Sequence, residues 1–160
     1  SERTFQMITQ VSGRAGRMCK GKVVIQSYMP EYYAVNYAIR NQNTSFYEEE
    51  LSLRREVGYP PFIYLADIKF SGLSKKDTKT EAELVFNSLE KILKTNDLKI
   101  KLLDPSPSPI PLINKKYRFH IVLKSLSRAN LNKLLKDFNS FYKRKLNVRI
   151  AIDVDPGSFI

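Results

Sequence analysis

A chain of 160 residues with 42% hydrophobic and 27% charged residues is long enough and apolar enough to form a globular core, which excludes a disordered chain. No apolar run approaches the roughly 20 residues that a membrane helix needs, and the opening residues lack the pattern of an export signal, so we expect a cytoplasmic protein with no membrane partner. With one cysteine, Cys19, and one histidine, His120, the chain has neither an internal disulfide nor a cysteine-histidine metal site, and we predict no other metal site.

The net charge of +11 is high for this length and favours a polyanionic partner, above all nucleic acid. Much of the excess lies between Lys115 and Arg149, where Asp137 is the sole acidic residue. General enrichment in lysine, as in proteins of AT-rich genomes, is the alternative explanation.

The first third of the chain is predicted to be mostly helical. Residues 3–12 carry apolar side chains at helical spacing, and because the chain begins inside this amphipathic segment, we expect it to be a fragment of a longer protein. Residues 23–28 are short, continuous and β-branched, which is typical of a buried strand. Two helices are predicted over 31–40 and from about 44 to 57, and we place the domain boundary at 58–61, Gly-Tyr-Pro-Pro.

Between the first helix and this strand, the segment Gln10–Arg17 presents two arginines among glycines. Arg14 and Arg17 lie about one helical turn apart, so both guanidiniums can reach one site. Gly13 and Gly16 let the backbone approach a ligand, and a planar guanidinium suits phosphate oxygens. Such a pair can neutralise a phosphoryl group in transfer, as an arginine finger does. A basic turn at a helix terminus is the plainer alternative.

From residue 59 onward the predicted elements are strand, helix, strand, strand, helix and strand. They cover residues 62–71, 75–95, 99–103, 117–124, 127–145 and 148–155. This order is the split βαβ, ferredoxin-like plan, an α+β fold with a four-stranded antiparallel sheet and two helices on one face. Residues 104–111 have proline at every second position, which predicts a stiff extended connector and excludes a central strand.

Strand periodicity places four cations on the sheet face opposite the core. They are Lys69 on the first strand, Arg118 and Lys124 on the third, and Arg149 on the last. Such a face can follow a phosphate backbone with salt-sensitive, sequence-independent affinity. A solvated face, or one that packs on another part of the protein, is the alternative.

Two sets of segments resemble known helicases. Gln10–Arg17 matches the last motif of superfamily 2 helicases, Gln-x-x-Gly-Arg-x-Gly-Arg, at all five fixed positions. Further along the chain come Phe46–Leu51, Tyr59–Phe62, Asp104–Pro107 and Asp153–Pro156. As an ordered set over nearly the whole chain, these segments resemble the PriA family, the primosomal protein N′ helicases of bacteria.

This resemblance implies a division of the chain and an activity for the parent protein. Residues 1–28 are implied to end the second RecA-like helicase lobe, residues 29–58 to form connecting helices, and residues 59–160 to form a C-terminal domain that binds DNA and partners. The implied activity is that of an ATP-dependent 3′→5′ DNA helicase in replication restart and primosome assembly. A non-catalytic module that binds nucleic acid or docks a partner is the alternative.

The resemblance also implies site residues. Gln10, Arg14 and Arg17 are implied to face the phosphates of ATP in the whole protein. The family's ATP-binding loop, Mg²⁺-binding motif and zinc-binding cysteines lie upstream, so ATP, Mg²⁺ and zinc are expected in the parent protein, and this fragment is expected to have no cofactor and no activity alone. Implied partners are forked or single-stranded DNA, other primosome proteins, and the acidic tail of the single-stranded DNA-binding protein, which would contact Arg128 and Asn132.

Overall fold

The computed structural model describes residues 1–15 and 21–157. The chain divides into two compact units, residues 1–57 and 58–160. In the part of the chain that the structure describes, no helix has the length and apolar character that crossing a membrane requires.

The described residues of the 1–57 unit form three helices: α1 (Glu2–Ala15), α2 (Tyr33–Ile39) and α3 (Asn43–Val57). The three predicted helices are therefore present, each with slightly different ends. Aromatic packing joins the first and the last, since the rings of Phe5 and Phe46 stack with centroids 3.9 Å apart. Ala34 and Ala38 of α2 are both buried, and their small side chains let α2 approach α1 and α3 closely.

The strand predicted over residues 23–28 is absent, because this segment has no regular secondary structure. Val24 is 82% exposed and Tyr28 is fully exposed. A β-strand forms when its backbone N–H and C=O groups pair with a neighbouring strand, and no described residue of the 1–57 unit is in a strand. The prediction was wrong because β-branched composition is a preference for a pleated, half-buried surface, and it supplies no pairing partner.

Over residues 58–157, which the structure describes, the second unit has five strands and two helices. In chain order they are β1 (Tyr64–Gly72), α4 (Lys75–Asn96), β2 (Ile100–Leu102), β3 (Ser106–Ile113), β4 (Lys116–Ser125), α5 (Arg128–Phe141) and β5 (Arg149–Val154). All strand pairs are antiparallel, in the order β2-β4-β1-β5, with β3 also on β4. The α+β, ferredoxin-like fold is confirmed, and the sheet has one strand more than predicted.

The additional strand, β3, occupies the proline-rich segment that was predicted to be a connector. Ser106 pairs with His120 and Ile113 with Lys116, and the register shifts between Pro107 and Leu112. With proline at every second position, only the residues between the prolines can donate a backbone N–H. An edge strand pairs on one side and tolerates this loss, whereas a central strand, which pairs on both sides, does not. The connector prediction was therefore wrong, whereas the exclusion of a central strand is correct.

Both helices pack on one face of the sheet. The buried core joins alternate residues of β1 and β4 to the apolar stripes of α4 and α5, namely Ala66, Ile68, Phe70, Phe119, Ile121, Leu123, Ala82, Val85, Leu89, Leu131, Leu134, Leu135 and Phe138. Helix α5 ends at Phe141, four residues before the predicted end at Lys145. The cause is Glu81, which is fully buried and accepts hydrogen bonds from the backbone N–H groups of Lys145 and Leu146.

Candidate nucleic-acid interface

The face of the sheet opposite the helices brings two of the predicted arginines into one cross-strand row. In the register of the sheet, Ser71 of β1 lies opposite Arg118 of β4 on one side and opposite Arg149 of β5 on the other. The Cα atoms of the two arginines are thus two strand spacings apart, about 10 Å. We call these three residues the arginine row.

A shallow depression of about 510 Å³ lies over this row. Lys69 and Lys116 contribute to its lining together with Arg118 and Arg149, and the tip of the β3–β4 hairpin contributes Asn114. Neither arginine has a carboxylate within 4.0 Å among the described residues. The two arginines therefore present to the depression a charge that is available to an anion.

Lys69 lies in the same depression, but carboxylates balance its charge. Its Nζ is 3.0 Å from Asp153 Oδ2 and 3.9 Å from Asp67 Oδ2. Asp67 is fully buried, and its Oδ1 lies 3.3 Å from His120 Nδ1. An anion bound here gains less from Lys69 than from the arginine row, because part of the field of the ammonium is already neutralised.

Lys124 lies apart from the other three predicted cations. It is six residues from Arg118 along β4, which is about 20 Å in a strand. Its Nζ donates to the Gly58 carbonyl at 3.2 Å and lies 4.5 Å from the centroid of the Tyr59 ring. Burial, and then the neighbouring charge of Lys101, lower the pKa of Lys124. These contacts tie the first residues of the 58–160 unit to β4.

Of the predicted nucleotide-facing residues, Gln10 and Arg14 are exposed on α1. They are four residues apart and so lie on one face of the helix. Arg17 is outside the described residues, and the convergence of Arg14 and Arg17 on one phosphate stays a prediction.

The predicted partner-binding pair lies on the first turns of α5. Arg128 and Asn132 are both exposed and four residues apart, on one face of the helix. The Ser127 side chain caps this helix by accepting from the N–H of Asn130 at 3.3 Å. Arg128 Nη2 lies 3.9 Å from Asp155 Oδ2, so a carboxylate of the chain already stands beside the guanidinium.

Three polar residues of the depression were not assigned to the site from the sequence. Ser71 is central to the arginine row, and Lys116 and Asn114 line its edge. The lopsided charge after Lys115 pointed to Lys116 only as one cation among many. Asn114 carries the local signal that could have located the hairpin, because asparagine is favoured in the left-handed conformation of a two-residue hairpin turn. In the structure Asn114 and Lys115 have φ of 49° and 61°.

Comparison with known proteins gives the family. The model of the primosomal protein N C-terminal domain matches residues 55–157. The replication restart protein PriA of Bacillus subtilis is 38% identical over 161 residues, which cover 98% of this chain and 20% of that protein. The PriA proteins of Borreliella burgdorferi and Rickettsia conorii are each 35% identical over 160 residues, with 99% of this chain and 24% of each relative covered. The chain thus spans about a fifth to a quarter of the length of these relatives, and it belongs to the PriA family of replication restart proteins, with a primosomal protein N C-terminal domain in its second unit.

Proposed function

We propose that this chain is part of a PriA-type 3′→5′ DNA helicase in replication restart, and that its 58–160 unit binds the phosphate backbone of forked or single-stranded DNA. The observation that carries this proposal is the arginine row, in which Arg118 and Arg149 flank Ser71 without a carboxylate within 4.0 Å among the described residues. Guanidiniums in such an open arrangement bind phosphates of any sequence, because the backbone presents the same oxygens at every nucleotide.

The test is the affinity of the full chain for a labelled DNA fork, measured by fluorescence anisotropy over a range of salt concentrations. For the double variant Arg118→Ala and Arg149→Ala we expect affinity to fall at least about tenfold near 0.1 M salt, and the slope of log affinity against log salt to become shallower by about two. The matched control, Lys133→Ala with Lys136→Ala, removes the same charge from exposed positions of α5 on the helical side of the unit. Equal losses in both double variants would contradict a site at the arginine row.

Lys69 and Lys124 contribute less to this binding, because each already has a partner within its unit. Lys124→Ala is expected to lower the stability of the 58–160 unit more than its affinity for DNA. Thermal unfolding and anisotropy on the same sample separate the two effects. If the DNA affinity of Lys124→Ala fell as far as that of the arginine double variant, Lys124 would be part of the DNA interface.

The docking of an acidic protein tail at Arg128 and Asn132 is the second proposed activity. Since Asp155 lies 3.9 Å from the Arg128 guanidinium, an incoming carboxylate must compete with it. Asp155→Asn is therefore expected to tighten binding of a peptide that corresponds to the acidic tail of the single-stranded DNA-binding protein by about two- to fivefold. Arg128→Ala is expected to weaken it. Unchanged affinity in both variants, measured by titration calorimetry, would rule out this pocket.

For the 1–57 unit we propose that Gln10, Arg14 and Arg17 face the phosphates of ATP in the parent helicase. The exposed positions of Gln10 and Arg14 on one face of α1 support this role. Arg17→Ala in the full-length parent is expected to abolish DNA-stimulated ATP hydrolysis while ATP binding persists. Hydrolysis at the normal rate would remove the arginine-finger role.

A further inference from the structure

The topology of the 58–160 unit gathers three chain connections at one end. Because β1 is antiparallel to both β4 and β5, the last residues of β1 lie beside the first residues of the other two, and Gly72 pairs with Tyr117. The connection from β1 to α4, the β3–β4 turn and the connection from α5 to β5 therefore meet there. The first and the last of these connections pack closely, since a Cβ added at Gly72 would lie 2.5 Å from Thr78 Oγ1 and 3.3 Å from Val148 Cγ2.

These three connections carry charge of almost one sign. Residues 72–78, 113–118 and 142–149 contain the cations Lys75, Lys76, Lys115, Lys116, Arg118, Lys143, Arg144, Lys145 and Arg149, against one acidic residue, Asp77. Two of these cations belong to the arginine row. Three more, Lys143, Arg144 and Lys145, are consecutive and exposed in the segment 142–148, which we call the basic loop.

Consecutive cations repel one another, and a loop that carries them is normally mobile, but here one buried carboxylate holds the loop. Glu81 is fully buried on α4. Its Oε1 accepts from the Tyr142 hydroxyl at 3.0 Å and from the Lys145 N–H at 3.0 Å, and its Oε2 accepts from the Leu146 N–H at 2.9 Å. A buried carboxylate is tolerated when it is hydrogen-bonded in this way.

The fixed loop adjoins the arginine row where β5 begins. Arg144 Nη1 donates to the Val148 carbonyl at 3.4 Å, which places this guanidinium beside the residue that precedes Arg149. The bonds to Glu81 come from two backbone N–H groups and the Tyr142 hydroxyl, so they order the loop and leave the charges of its cationic side chains available. A binding surface ordered in advance loses less conformational entropy when its ligand arrives.

We propose that the basic loop, positioned by Glu81, is a second phosphate-binding segment that extends the arginine row, so that a nucleic-acid backbone crosses this end of the 58–160 unit. The inference rests on the proposed DNA binding of this unit and adds a segment and a positioning residue to it. The partner is a nucleic acid because the three connections gather nine cations against one carboxylate at this end, and a repeating phosphate chain binds such a cluster. An acidic protein would be the competing partner.

The experiment compares variants of the full chain with the same labelled DNA fork and salt series. The loop triple variant Lys143→Ala, Arg144→Ala and Lys145→Ala is expected to lower affinity about tenfold or more and to flatten the salt slope by about two to three. Its control is Lys91→Ala, Lys94→Ala and Lys99→Ala, which removes the same charge from the last turns of α4 and the residues that follow it, at the opposite end of the unit. The control is expected to leave the slope unchanged.

Glu81→Gln tests the positioning role, because it makes the chain more positive and by charge alone would tighten DNA binding. We expect it instead to weaken binding about threefold or more, since the loop loses its strongest acceptors. Circular dichroism shows whether the Glu81→Gln variant is folded. If it is not, Tyr142→Phe takes its place as the test, because it removes one hydrogen-bond donor to Glu81 and keeps every charge. Tighter DNA binding by folded Glu81→Gln, or unchanged binding by Tyr142→Phe, would overturn the positioning role.

The outcomes separate this inference from the proposed function. If the arginine double variant loses affinity while the loop triple variant behaves like its control, the loop proposal is wrong and the arginine row remains. If neither set of variants differs from its control, the proposed site at the arginine row is wrong as well. If the loop triple variant loses an acidic tail peptide and keeps DNA, the loop docks a protein and the nucleic-acid assignment is overturned.

Discussion

At the scale of single residues, buried carboxylates organise both units. In the 1–57 unit Glu50 is 7% exposed and accepts hydrogen bonds from Arg54 Nε at 2.7 Å and from the Tyr33 hydroxyl. Arg54 also reaches Glu2 of α1 at 2.9 Å, so one chain of contacts links the three helices. Burial by itself raises the pKa of Glu50, but hydrogen bonds from the Ser1 side chain, Tyr33 and Arg54 outweigh it, and the pKa lies below its ordinary value of 4.5.

The lowered pKa predicts an acid-sensitive unit. The folded state favours the ionised form of Glu50. The contribution of Glu50 to the stability of the 1–57 unit is therefore complete above about pH 4.5 and is lost as the pH falls through the lower pKa of the folded state. Glu50→Gln is expected to reduce the free energy of unfolding of the 1–57 unit by about 1.5–3 kcal/mol at neutral pH, with a smaller reduction in acid. Amide hydrogen exchange at Ala34 and Ala38 measures the free energy of unfolding of this unit separately from that of the 58–160 unit. The exposed Glu56→Gln is the control, and an equal effect of both substitutions would contradict the role of Glu50.

At the scale of elements, helix ends decide where the connections run. The Ser74 side chain caps α4 by accepting from the Asp77 N–H at 3.2 Å, and the same helix ends at Asp97 in a left-handed conformation with φ of 48°. The Leu98 N–H then bonds back to the Leu93 carbonyl at 3.2 Å. This is the closing arrangement that glycine adopts most easily, because a side chain in the left-handed region crowds the following carbonyl.

Asp97→Gly is therefore expected to stabilise the 58–160 unit by up to about 1 kcal/mol, because relief of this crowding exceeds the greater freedom of glycine in the unfolded chain. Thermal unfolding of the full chain should show a rise of a few degrees for this unit. Asp104→Gly, at another exposed aspartate outside the helices and strands, is the comparison and should bring no such gain. A lower midpoint for Asp97→Gly would show that the Asp97 side chain has a stabilising contact.

At the scale of the whole molecule, the net charge of +11 is unevenly distributed. The end of the 58–160 unit with the arginine row and the basic loop is almost wholly cationic, whereas the opposite end carries Asp97 and Asp155 among its lysines and arginines. We expect the full chain to bind two DNA forks of unrelated sequence with affinities within about threefold of each other and with the same salt slope, because phosphates carry no sequence information. A strong preference for one sequence would point to base contacts and away from the cationic end.

The α+β class and the order of elements were accessible from the sequence because strand and helix periodicities are local. Ala66, Ile68 and Phe70 alternate along β1, and Ala82 and Val85 belong to the helical stripe of α4, as predicted. The prediction of a strand at 23–28 was wrong because strand pairing depends on residues that are not neighbours in the chain. The β3 strand was missed for the same reason, since its proline pattern excludes a central position but leaves an edge position open.

For the candidate site, the sequence by itself determined that cations lie on the sheet face opposite the core, and the motif segments determined the family. Only the tertiary structure decided which cations meet. The register across β4, β1 and β5 places Arg118 and Arg149 on either side of Ser71. Lys124 instead donates to the Gly58 carbonyl, and Lys69 forms an ion pair with Asp153. Register and ion pairing depend on contacts between residues 40 to 90 positions apart in the printed chain, and no local periodicity encodes such contacts.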